Sequence, residues 1–123
     1  MTARFDLPLG VVAPAAARHA ARSILAGWGL TDERWLDDAT VIVHELVANA
    51  VRHGGGRVSL DLHVREGLVI IGAADGSAIE PRRREPDNDG GRGLAIVEAL
   101  AGRWGVDNYV AGKRVWVQLP RHP

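Results

Sequence analysis

At 123 residues, with 46% hydrophobic and 24% charged side chains, the chain has the length and make-up of one folded domain. Fifteen basic residues balance fifteen acidic ones, which excludes the strong phosphate-backbone attraction of a general nucleic-acid binder. The lack of cysteine excludes disulfides, thiolate zinc sites and cysteine nucleophiles.

The opening Met1-Thr2-Ala3-Arg4-Phe5-Asp6 carries charges where a secretory leader needs an apolar stretch. No apolar run approaches the roughly 20 residues that span a bilayer. The expectation is one cytoplasmic domain over residues 1–123, with neither membrane nor direct nucleic-acid contact.

Residues 5–9 alternate apolar and polar, and Pro8 suits an edge strand. Pro14 fits a first helical turn, and Ala17, Ala20, Ala21, Ile24, Leu25 and Trp28 recur at helical spacing over residues 15–28. Gly29 is the expected stop. Thr31 is the expected N-cap of a second helix running to about His53, where Gly54-Gly55-Gly56 ends it. Its apolar stripe is Leu36, Ala39, Ile42, Val43, Leu46, Val47 and Ala50.

Residues 57–64 alternate as a half-buried strand, and residues 68–73 are nearly all apolar, with Arg65-Glu66-Gly67 as the hairpin between them. Residues 77–89 break every pattern with Arg82-Arg83-Arg84 and Asp87-Asn88-Asp89, and read as a solvated loop. A helix over residues 94–101 and strands over residues 104–110 and 114–119 complete the chain. Hairpin-joined strands with helices on one face make an α/β sandwich.

Three segments carry candidate chemistry. In His44-Glu45-Leu46-Val47-Ala48-Asn49-Ala50-Val51-Arg52-His53, the residues Glu45, Asn49 and His53 stack along one helix side, offset from the apolar stripe. A carboxylate, an amide and an imidazole in that row suit a hydrated cation and a polyphosphate; a plain solvated face is the simpler reading. Asp75-Gly76, just past a buried strand, offers a carboxylate to an exocyclic amine, although Asp-Gly is also an ordinary turn. Asp89-Gly90-Gly91-Arg92-Gly93-Leu94 opens a helix with free amide donors and a guanidinium, suited to phosphate or simply to a flexible helix entry. It is neither a Walker loop nor a dinucleotide fingerprint.

Taken in order and spacing, Glu45 to His53, then Asp75, then Gly91-Arg92-Gly93 resembles the GHKL family of ATP-binding domains, and within it the actinobacterial anti-sigma-factor serine/threonine kinases. The resemblance extends from about Pro14 to Leu119, including the closing Gly112-Lys113-Arg114-Val115-Trp116-Val117. It implies the GHKL (Bergerat) fold, an α/β two-layer sandwich of a mixed, mostly antiparallel sheet with three helices on one face. It implies ATP and Mg2+ as ligands. Position by position, Asn49 matches the magnesium-ligating amide, Glu45 the general base, and Asp75 the adenine-reading carboxylate followed by Gly76. Gly91 and Gly93 match the glycines beside the phosphates, with Arg92 between them and His53 near the phosphate end. Residues 77–90 match the ATP lid, and Arg18 a partner-contact arginine, with Arg22 one turn on.

Two departures stand out. The family's second box runs Asp-x-Gly-x-Gly, whereas Asp75 is followed by Gly76, Ser77, Ala78 and Ile79. Asp89-Gly90 occupies the place of an arginine that precedes the last glycine box in well-studied members. The implied function is an ATP-binding anti-sigma factor that holds a sigma factor and phosphorylates a Ser/Thr on a STAS-type antagonist. The alternatives are a nucleotide-gated protein-binding module without phosphotransfer, and an interaction domain that has lost nucleotide. The family implies a homodimer, which nothing in the composition demands.

Overall fold

A computed structural model describes residues 1–53, 56–75, 91–109 and 112–123, and only the backbone of residues 53 and 91–94. Five strands, β1 (Thr2–Asp6), β2 (Ser59–Arg65), β3 (Leu68–Asp75), β4 (Arg103–Tyr109) and β5 (Gly112–Gln118), form one sheet in the order β1-β2-β3-β5-β4. The sheet expected to be mostly antiparallel is antiparallel at every pairing among the described residues. Three α-helices accompany it: α1 (Ala13–Gly27), α2 (Glu33–His53) and α3 (Gly91–Leu100).

Side-chain alternation explains the two layers. Leu60 and Leu62 of β2, Val69, Ile71 and Ala73 of β3, and Val115 and Val117 of β5 all join the buried core. Side chains of the opposite parity on each strand, among them Arg4, His63, Arg114 and Tyr109, line a shallow hollow of about 740 Å³ on the other sheet face, which no described helix covers. There Arg114 lies across the backbone of Gly72, where any Cβ would meet its guanidinium. It reaches over to grip Asp61 with two hydrogen bonds, at 3.0 and 2.6 Å. That grip, with Asp61 as the leading cause, raises the Arg114 pKa above its ordinary value.

The central helix is α2, which packs against α1, α3 and β3. Ala13, Ala17 and Ala21 of α1 are buried at four-residue spacing, so small side chains let that helix lie close along α2. The expected stop at Gly29 is formed: its φ is +91°, Leu30 N donates to Leu25 O at 3.0 Å, and Gly29 N donates to Ala26 O at 3.0 Å. That is a Schellman closure.

Some boundaries differ from the sequence reading. The first strand occupies Thr2–Asp6, because its alternation extends back to Thr2, and it is an edge strand ending before Pro8. Asp32, not Thr31, caps α2, its Oδ2 accepting from the backbone N of Trp35 at 2.9 Å. The hairpin at Glu66-Gly67 has two loop residues, both at positive φ, as a primed turn demands. The expected loop at 77–89 lies outside the described residues.

Candidate functional site

The site is built on α2, the end of β3 and the start of β5. Along α2, each four-residue step rotates a side chain by about 40° toward the apolar stripe. The exposures follow that rotation: Glu45 is half-buried, and Asn49, one turn on, is 7% exposed beside Leu46 and Ala50. Among the described residues, the buried Asn49 amide nitrogen has no hydrogen-bond partner. A buried amide without a partner is uncommon in a folded domain. His53 closes α2, its side chain outside the described set.

Asp75 is the last residue of β3, and its position follows the inward parity of Val69, Ile71 and Ala73. Its side chain is 1% exposed and lies 3.8 Å from Lys113 Nζ, which is itself fully buried. The two residues are register partners across the β3–β5 pairing. Lys113 was not singled out in the sequence, although it shares the parity of Val115 and Val117 on the otherwise apolar face of its strand. That parity is the signal that would have found it.

Gly91 begins α3, three residues earlier than the periodicity suggests, so Arg92 and Gly93 fall within its first turn. Gly76 and the lid at 77–90 lie outside the described residues. Of the two candidate partner arginines, Arg18 is exposed and donates to His44 Nδ1 at 3.1 Å. Arg22 is not a free cation: it binds Asp37 at 3.0 Å and Glu33 at 2.6 Å, both on α2. The hydrogen bond to Asp37 is the leading cause that raises its pKa above the ordinary guanidinium value. Arg22 therefore bridges α1 to α2.

The described fold is that of a GHKL-type ATPase domain. The profile of the histidine kinase-like ATPase domain matches residues 11–119, and the chain belongs to that family. Among solved structures it is similar to that of the RsbU and RsbW domains of Rv1364c from Mycobacterium tuberculosis. That likeness has a TM-score of 0.76 at 20% identity, covering 98% of this chain and 32% of that one. The chain thus spans about a third of that protein chain's length. It is also similar to the histidine kinase domain of a blue-light activated histidine kinase from Erythrobacter litoralis EL346. There the TM-score is 0.54 at 21% identity, over 71% of this chain and 45% of that one. A search of curated proteins finds no match.

Proposed function

We propose that this chain is a cytoplasmic Mg-ATP-binding anti-sigma domain that holds a sigma factor and phosphorylates a serine or threonine on a STAS-type antagonist. The observation that carries the nucleotide half is the buried, partnerless Asn49 amide one turn from Glu45. An amide there fits the ligand: its nitrogen suits a phosphate oxygen and its oxygen suits a hard cation. Among the described residues no three acidic or histidine side chains converge on one point. Asn49 would hold magnesium through its amide oxygen, and the ion, which usually binds through few protein groups plus phosphate and water, would neutralise phosphate charge. The regulatory half is supported by the motif resemblance to anti-sigma kinases, and by the fold shared with a structure that contains an RsbW domain.

In this reading, Asp75 would bind the base, and Asn49 would hold the magnesium that accompanies the phosphates. Gly91, Arg92 and Gly93 bring amide donors and a cation to the phosphates at the N-terminus of α3. Gly76 and the lid at 77–90 belong to the same pocket, with His53 at its phosphate end. Glu45 accepts the proton of the attacking hydroxyl as its oxygen bonds the γ-phosphorus and the bond to the β-phosphate oxygen breaks, leaving ADP. Positioning supplies most of the rate in such a transfer. Arg18 is the partner-facing cation, and the domain works as a homodimer.

The test incubates the purified chain with labelled ATP and a STAS-domain protein, and measures nucleotide binding separately by calorimetry. Glu45→Gln keeps ATP binding and lowers phosphate transfer by about 10²–10⁴-fold. Asn49→Ala loses magnesium-dependent binding. Loss of binding in the Glu45 variant would make that residue structural. The departures at residues 75–79 and 89–93 favour one second reading, a nucleotide-gated module. Nucleotide-dependent partner binding with no phosphate on the partner would select it.

A further inference from the structure

Strand β4 is one edge of the sheet, and among the described residues no strand lies beyond it. The ladder fixes where its backbone groups point. Leu119 N donates to Val69 O, so odd residues of β5 turn their N–H and C=O toward β3 and even ones toward β4. The β4 partners of those even residues are Arg103, Gly105, Asp107 and Tyr109, which leaves the backbone groups of Trp104 and Val106 directed outward. An edge of this kind is a template for another strand.

We propose that two copies of this chain pair antiparallel through β4, about a two-fold axis at Gly105, joining their five-stranded sheets into one. The inference rests on the homodimer reading above and deepens it. In this register Trp104 of each copy meets Val106 of the other, and their outward backbone groups bond to one another. Arg103 meets Asp107 of the other copy, so symmetry makes that opposite-charge pair twice. Arg103 is exposed, and Asp107 is 50% exposed, with its carboxylate 3.5 Å from Arg114. Gly105 meets itself, and the Trp116 indole reaches from β5 over it, where a Cβ would stand 2.7 Å from the ring. Two aromatic rings therefore flank the axis on one face. On the other face Trp104 and Val106, each partly buried against the core, form two apolar cross-strand pairs. Moving the axis to Val106 sets Arg103 against Tyr109 and Gly105 against Asp107, which loses both charge pairs. The opposite edge, β1, suits self-pairing less well. Leu7 N donates to Val58 O, so the backbone of Arg4 and Asp6 points outward there. An axis at Arg4 sets two arginines together. An axis at Phe5 sets Pro8, which has no N–H, against Thr2, and Asp6 is already bridged to Arg57 at 3.3 Å.

The experiment measures the mass of the full chain by light scattering and its dimer dissociation constant by sedimentation equilibrium, in about 0.1 M salt. Arg103→Asp and Asp107→Arg each set like charges opposite one another twice, and each should weaken the dimer at least about tenfold. Mixing the two variants restores both opposite-charge pairs, so their heterodimer should return to within about threefold of the wild-type constant. Val106→Pro removes an outward donor and none from the β4–β5 ladder, so it should give a folded monomer. A variant that does not fold by circular dichroism is set aside, and the others decide. An undiminished dimer in Arg103→Asp or Val106→Pro overturns this surface and leaves the homodimer reading in place. Charge variants that stay apart on mixing do the same. A wild type that remains monomeric at about 0.1 mM overturns both.

Discussion

At the residue scale, the burial of Asp75 against Lys113 sets an asymmetric energetic expectation. Each buried charge faces the other across the β3–β5 pairing, so removing one leaves its partner less well compensated. Lys113→Met alone should destabilise the fold by about 3–5 kcal/mol. The double variant Asp75→Leu with Lys113→Met should be less destabilised than the single, because an apolar pair has no desolvation cost. Denaturant unfolding of wild type, both singles and the double gives the coupling energy. Additive effects would mean that the two groups do not depend on each other. Asn49 presents the opposite case, a buried amide whose nitrogen has no partner, in a helix that otherwise satisfies its polar groups through its own ladder. A buried donor left without an acceptor is an energetic cost, and the nucleotide-binding reading proposed above gives it a use.

At the element scale, α2 is the organising piece. It carries the candidate row, packs on both other helices and on β3, and is held at its N-terminus by Asp32. Asp32→Ala removes that cap and should cost about 0.5–2 kcal/mol in thermal or denaturant unfolding. The row roughly four to six turns further along should be unaffected in nucleotide affinity at low temperature. A larger loss of binding than of stability would mean that the cap also fixes the register of Glu45 and Asn49. The α1–α2 pairing adds a second restraint at the same end. Arg22 reaches across to Glu33 and Asp37, yet both carboxylates are largely exposed, so water screening keeps that clamp weak.

At the scale of the whole molecule, the C-terminal residues tie the last strand back to the helical layer. Trp35 Nε1 donates to Pro120 O at 2.7 Å, and Asp32 N donates to His122 Nε2 at 3.1 Å. The Trp35 and His122 rings meet edge to face at 5.0 Å. His122→Ala removes the ring contact and the acceptor together, and should cost about 1–2 kcal/mol in chemical denaturation. The same change should shift Trp35 emission, since its indole is mostly buried there. The helices cover one sheet face, and among the described residues the other carries charged side chains such as Arg4, Asp61 and Arg114 together with Ile70, Tyr109 and Trp116. Asp75 and Lys113 point to the covered face, so the candidate base site and the hollow around Arg114 are on opposite sides of the sheet.

Much of this was legible in the chain itself. The alternation of β2, the apolar stripe of α2 and the glycine stop of α1 are local patterns, and they appear where periodicity puts them. The row of Glu45, Asn49 and His53 on one helix is equally local, because an α-helix fixes which side chains stack. Ends of elements were less legible. Asp32 and Thr31 are both good caps, and only the geometry of the first turn selects between them.

What the amino-acid order determined by itself is therefore the set of elements, their buried faces and the residue types offered at each end. Only tertiary packing decided which charges meet. Arg22 finds Glu33 and Asp37 because α1 lies along α2, and Lys113 finds Asp75 because β5 pairs with β3 at that register. The physical reason is range: backbone sterics and periodic burial act within a few residues. An ion pair's worth depends on the dielectric and neighbours created when distant elements close over it.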